Sequence, residues 1–168
     1  RVAGEAVKPG VTTYEIDNIV RSYIEKQGAV PSFLGYGGFP ASACISVNNV
    51  VIHGIPSKEL VLKEGDIVSV DVGAFYGGFH GDNAFTFPCG KISADAQALL
   101  DATKESLYEG IKQALAFNRV GDIGNAVQKY VEARSYSVVR DFVGHGVGAK
   151  LHEDPSVPNY GTAHRGVR

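Results

Sequence analysis

Two aspartates and a set of histidines are the residue types that could hold a divalent cation or share a proton. Asp71 lies in the apolar run Ile67-Val68-Ser69-Val70-Asp71-Val72-Gly73, and Asp82 in His80-Gly81-Asp82-Asn83-Ala84. Between them, Tyr76-Gly77-Gly78 reads as a hairpin turn. A turn centred on Tyr76-Gly77 sets Asp71 directly across from Asp82, with Cβ atoms about 5 Å apart on one face of the hairpin. A register shifted by one residue would send one carboxylate to solvent instead. Two carboxylates that close repel, and burying them is costly unless something compensates. One or two divalent cations offer that compensation, and a shared proton is the other solution.

The chain has 5 histidines. A lone histidine near a strand end is more often a hydrogen-bonded core residue than a ligand. His145 stands apart because Gly144 and Gly146 flank it and clear space for its imidazole to meet a metal or a substrate. His152 lies in Leu151-His152-Glu153-Asp154-Pro155, and His53 follows Val50-Val51-Ile52. His80 and His164 have no supporting context and read as surface residues. Aspartate combined with histidine suits Mn, Fe, Co or Zn better than Ca or Cu(I). No HExxH, GxSxG or P-loop pattern is present. Cys44 has no basic partner nearby in sequence, so it reads as a core or pocket thiol and not as a nucleophile.

These residues need elements to hold them. Thr12-x-x-Glu15 is a capping box opening a helix from Thr12 to Gln27, with Ile16, Ile19, Val20, Tyr23 and Ile24 on one face and Gly28 ending it. Strands are expected over Ala43–Val47, Val50–His53, Ile67–Ala74 and Gly78–Phe87, with Asn48-Asn49 turning between the first two. Ser93 caps a second helix, Ala94 to Ala116, with Leu99, Leu100, Leu107, Ile111 and Leu115 inward. A third helix runs from Asp122 to Arg134, and Ser137–Val143 reads as a strand. Laying Glu15 on Asp122 carries Val20 onto Val127, Tyr23 onto Tyr130 and Ile24 onto Val131. Each of these helices leads into strands that end in a Gly-flanked His, the pattern of two similar halves packed around a shared sheet.

The bulk composition is that of one globular domain of 168 residues with 44% hydrophobic residues and a net charge of −2. Nothing in the scattered Lys and Arg suggests a nucleic-acid groove or a basic membrane patch. No apolar run approaches the roughly 20 residues of a bilayer span. Arg1-Val2-Ala3-Gly4 does not read as a signal peptide and does not begin with Met. Two cysteines, Cys44 and Cys89, build neither a disulfide framework nor a four-thiolate zinc site, and read as ordinary thiols of a reducing cytosol.

Taken together, these segments resemble the type I methionine aminopeptidases. The resemblance rests on Leu34-Gly35-Tyr36-Gly37-Gly38-Phe39-Pro40, Cys44-Ile45-Ser46-Val47-Asn48 and His53-Gly54-Ile55-Pro56. It continues through Gly65 to Val72, Gly78-Phe79-His80-Gly81-Asp82, Gly144 to Gly148 and Leu151 to Pro155. It implies an α+β pita-bread fold of two pseudo-symmetric halves in a single catalytic domain, with a first half of about 1–90 and an incomplete second half of about 91–168. It implies Asp71, Asp82 and His145 as ligands of two divalent ions (Co, Mn, Fe or Zn), with Asp82 bridging. His152 would bind the peptide carbonyl and His53 the peptide nitrogen, while Phe33, Tyr36, Phe39, Cys44 and Ile52 match positions around a methionine pocket. The implied activity is removal of the N-terminal methionine from nascent polypeptides by metal-activated water. The implied setting is the cytoplasm, near the ribosome, as a monomer. The family's two remaining glutamate ligands fall after Arg168, so the chain as given is expected to be impaired. Another pita-bread peptidase of Xaa-Pro type and a non-catalytic binding module are the competing readings. The resemblance also leads one to expect glycine where Phe117, Ser135 and His164 stand.

Overall fold

The computed structural model describes residues 1–168. It divides into two compact units, Arg1–Ala94 with Val147–Leu151, and Asp95–Gly146 with His152–Arg168.

The first unit is built on a sheet whose middle strand is β3, Ile67–Tyr76. The strand β4, Phe79–Pro88, pairs antiparallel along one edge of β3, while β2, Ala43–Val47, and the two-residue β1, Val30–Pro31, share the other. Alternation divides this sheet into two faces. Ala43, Ile45 and Val47 of β2 and Val68 and Val70 of β3 are buried in the core with Ile16, Val20 and Ile24 of helix α2, Thr13–Lys26. Each valine or isoleucine so buried contributes about 1.5–3 kcal/mol. The short helix α1, Val2–Ala6, adds Ala3 to the same core.

Helix α2 begins and ends where the sequence says it should. The Thr12 hydroxyl accepts from the Glu15 N–H at 3.2 Å, and the Glu15 carboxylate accepts from the Thr12 N–H at 2.7 Å, closing the capping box. Gly28 then takes the left-handed conformation at φ 74°. The buried stripe is rotated from the expected one. Thr13 and Asp17 are buried alongside Ile16, Val20 and Ile24, and Ile19 and Tyr23 face solvent.

The expected strand Val50–His53 does not form. Asn48, at φ 54°, binds Asp66 with its side-chain amide and accepts the Ile67 N–H, so it closes the end of the β2–β3 ladder instead of turning into a new strand. The loop that follows is stitched to β2 where it leaves the strand, by Val50 N–H to Val47 O, and again at Gly54, through Gly54 O to Ile45 N–H and Gly54 N–H to the Ser46 hydroxyl.

In the second unit, helix α3 spans Ala94–Ile111 and helix α4 spans Val120–Glu132. The expected leucine face of α3 is not the buried one. Ala102, Ser106 and Gly110 are buried, and Leu107 and Ile111 are more than half exposed. The helix also stops before Leu115, which is exposed. Small residues win this face because α4 comes close, and a Cβ on Gly110 would lie 2.8 Å from Val127 Cγ2. The expected strand over Ser137–Val143 is absent. A strand needs a ladder partner, and here only β5, Gly144–Gly146, finds one, in β6, Glu153–Val157.

The helix repeat extends to the backbone. Gly28 N–H and Ala29 N–H bond the carbonyls of Glu25 and Ile24, and Ser135 N–H and Tyr136 N–H bond those of Glu132 and Val131. At the other end, Arg119 N–H donates to the Asp122 carboxylate at 2.8 Å, as Thr12 N–H does to Glu15.

Candidate metal centre and apolar pocket

Asp71 and Asp82 point from the same face of the β3–β4 hairpin, but they are diagonal neighbours. The ladder pairs Tyr76 with Phe79, Gly73 with Asp82 and Asp71 with Ala84. The turn is therefore Gly77-Gly78, with φ of 59° and 90°, one step later than the sequence reading placed it. A two-residue turn with both central residues at positive φ matches the twist of the strands, and a Gly-Gly pair adopts it more readily than Tyr-Gly. Moving the turn by one residue moves the pairing by two, which preserves the face. The carboxylates are then about 7 Å apart on the diagonal instead of directly opposed.

Cys44 faces Asp71 across the β2–β3 ladder, so it shares this face. Its thiol is pushed up to about 12, first by burial and then by the charges of Asp71 and Asp82. A group held so far above neutrality is a protonated thiol, in keeping with a pocket residue and not a nucleophile. Beside it, Phe33, Cys44 and Leu151 form a small buried apolar cluster with Phe39 packed against it. Tyr36 is half exposed and Ile52 is partly buried, and neither belongs to that cluster. His53 is exposed, with a φ of 56° that is rare for a residue bearing a Cβ. The Gly54 bonds to Ile45 and Ser46 hold it beside β2.

His145 and His152 belong to the second unit and lie together there, with ring centroids 4.1 Å apart. His145 Nδ1 is 2.9 Å from the Gly146 carbonyl oxygen. That oxygen only accepts, so the contact places the proton on Nδ1 and makes Nε2 the basic nitrogen, the tautomer a metal ligand needs.

Several residues that build this region carry no obvious sequence signal. His80, read above as a surface residue, is partly buried, packs on Phe75 and bonds Ser32. Asp17 accepts from the N–H groups of Ser42 and Ala43, both at 2.8 Å, and so fixes the start of the strand that carries Cys44. The one signal for His80 was its position two residues before Asp82, which puts both on one strand face.

Residues 1–167 match metallopeptidase family M24. The chain belongs to this family. It is 56% identical over 164 residues to a methionine aminopeptidase of Clostridium acetobutylicum, covering 98% of this chain and 66% of that protein. It is 52% identical over 162 residues to methionine aminopeptidase 1 of Bacillus subtilis, covering 96% of this chain and 65% of that one. The crystal structure of the Thermotoga maritima methionine aminopeptidase superposes with a TM-score of 0.96 at 45% identity, over 98% of this chain and 66% of that one. The M24 chain thus has the α+β pita-bread fold, and it spans a little under two thirds of the length of these relatives. Membership of a metallopeptidase family implies a divalent metal. The donor types fit in part, since aspartate oxygens and a histidine with a basic Nε2 suit a borderline divalent ion. Neither unit alone gathers three or more His, Cys, Asp or Glu side chains able to hold one.

Proposed function

We propose that this M24 chain carries the substrate pocket and part of the metal centre of a methionine aminopeptidase, which removes the N-terminal methionine of nascent polypeptides in the cytoplasm, near the ribosome. The observation that carries this reading is one sheet face bearing the diagonal carboxylates Asp71 and Asp82 with the apolar cluster of Phe33, Phe39, Cys44 and Leu151 beside them. Asp71 and Asp82 would hold two divalent ions, with His145 a further ligand through Nε2. When bound, the metals supply a Lewis acid and an activated water.

The chain's own residues do the rest. The apolar cluster takes an unbranched thioether side chain, which adapts to an irregular apolar space, and Tyr36 and Ile52 would complete the pocket around it. His53 meets the peptide nitrogen, held for that contact in a conformation the loop alone would not favour. His152 donates to the peptide carbonyl oxygen as charge develops there.

The test is hydrolysis of Met-Ala-Ser and of an Xaa-Pro peptide by the full-length protein with Mn or Co added. Release of methionine without Xaa-Pro cleavage is expected. Cleavage of the Xaa-Pro peptide, or of neither peptide, refutes the assignment.

A further inference from the structure

We propose that His80 is a positioning residue that locks the Phe33 loop onto the carboxylate-bearing hairpin and thereby sets the side-chain selectivity of the apolar pocket. This rests on the peptidase reading above and extends it to a residue that reading leaves without a role.

His80 lies on β4 two residues before Asp82, opposite Phe75 in the ladder, and its imidazole packs on the Phe75 ring at 4.7 Å between centroids. Its Nδ1 is 2.9 Å from the Ser32 hydroxyl. Ser32 is itself tied to β3, its N–H donating to the Gly73 carbonyl at 2.9 Å, and the next residue is the buried Phe33. On the other edge of β4, the His80 N–H donates to the Gly148 carbonyl at 2.8 Å. Three residues beyond Gly148 stands Leu151, which closes the cluster with Phe33 and Cys44. One residue therefore fastens both walls of the pocket, one through its side chain and the other through its backbone.

The loop needs such a fastening. Gly35, Gly37 and Gly38 all sit at positive φ, at 82°, 55° and 84°. A segment so rich in glycine has much conformational entropy to lose, and Tyr36 within it is 51% exposed, so its own packing holds it weakly. Without the His80–Ser32 bond, Phe33 would keep its apolar contacts but not a fixed position. The pocket would then accept branched side chains more readily and bind methionine less well.

The experiment uses the full-length protein loaded with Mn and compares wild type, His80→Ala, His80→Asn, Ser32→Ala and the double alanine variant. It measures KM and kcat on Met-Ala-Ser, the Met-over-Leu ratio of kcat/KM, and the melting temperature. Asn reaches Ser32 with an amide at the height of Nδ1. The expected result for His80→Ala is a KM raised about fivefold, as for loss of one neutral hydrogen bond, with kcat held and a reduced Met-over-Leu ratio. Asn should restore the KM, and the double variant should be no worse than either single one. A loss of kcat at constant KM, additive losses in the double variant, or a lowered melting temperature with unchanged kinetics each overturns the proposal. Ser32→Ala and His80→Asn decide the matter should His80→Ala not fold. A wild type that releases no methionine sinks the peptidase reading and this inference together, whereas an active wild type with wild-type selectivity in His80→Ala sinks this one alone.

Discussion

Gly73 stands directly opposite Asp82 in the β3–β4 ladder, with Ser32 and Phe33 lying across it. A Cβ at this position would come within 2.5 Å of the Phe33 ring and 2.8 Å of Ser32 Cβ. Gly73 is therefore the floor on which the pocket wall rests, and it lies two residues from Asp71. Replacing Gly73 with Ala should push the loop off the strand and destabilise the protein by about 1–3 kcal/mol, the range for overpacking. Thermal unfolding should show this as a lower midpoint, and the KM for Met-Ala-Ser should rise. An unchanged midpoint and KM would mean that the loop gives way without cost.

Neutralising either carboxylate should have opposite effects on metal and on thiol. Asp82→Asn and Asp71→Asn each remove a proposed metal ligand and also one of the three carboxylate charges, those of Asp71, Asp82 and Asp17, that raise the Cys44 thiol. Calorimetric titration with Mn should show weakened binding and methionine release should fall, by about a hundredfold or more. In the metal-free variants, Cys44 alkylation by iodoacetamide should speed up at a given alkaline pH, because the thiol titrates lower. It should still lag an ordinary cysteine, since burial is the larger cause of the shift and remains. Alkylation as fast as that of a free cysteine in Asp71→Asn would show that charge, not burial, protects this thiol.

What could be read from the sequence followed local rules, and what could not depended on partners far along the chain. The capping box of Thr12 and Glu15, the αL stop at Gly28 and the shared face of Asp71 and Asp82 all rest on short-range chemistry or on strand parity, which a two-residue change in register leaves intact. The expected strands at Val50–His53 and Ser137–Val143 had the right composition but no ladder to join. The inward face of α3 was misread because leucine content marks hydrophobicity, whereas Ala102, Ser106 and Gly110 mark the place where a second helix comes close. His80 was passed over because its partner Ser32 is remote in sequence.

Phe117, Ser135 and His164 are positions where the family resemblance led us to expect glycine, and all three take positive φ, at 74°, 63° and 62°. Ser135 ends α4 with the same pair of backbone bonds that Gly28 makes at the end of α2. Left-handed backbone costs a residue with a Cβ roughly 1 kcal/mol. Phe117 is 87% exposed, so its ring contributes little packing to offset that cost. Phe117→Gly and Ser135→Gly should therefore each stabilise the protein by about 0.5–1 kcal/mol, read as a rise of a few degrees in melting temperature. A lower midpoint in both would show that unfolded-state entropy outweighs the relieved strain.

Asp17 and Asp122 should give opposite pH signatures. Asp122 accepts from the N–H groups of His164 and Arg119, and these bonds hold its carboxyl below the usual range. A depressed folded-state pKa stabilises above the ordinary aspartate range of about 3.9 and is lost as pH falls through the folded value, so Asp122→Ala should narrow the stability gap between neutral and strongly acid solution. Burial pushes Asp17 the other way, raising its carboxyl despite the bonds from Ala43 and Ser42. The folded state then holds its proton longer than the unfolded chain does, and wild type should lose stability relative to Asp17→Asn as pH rises through that raised pKa. Both N–H groups bond one oxygen, Oδ1, so the Asn amide oxygen can accept both while carrying no charge. Asp17→Ala leaves two buried donors unsatisfied and should cost about 2–4 kcal/mol at neutral pH, well beyond the cost of Asn. Urea unfolding of wild type and the two Asp17 variants at pH 4 and pH 7, and of wild type and Asp122→Ala at pH 7 and at about pH 2, checks these points. Equal stability of the Asn and Ala variants would mean that water, not Asp17, satisfies the start of the strand that carries Cys44.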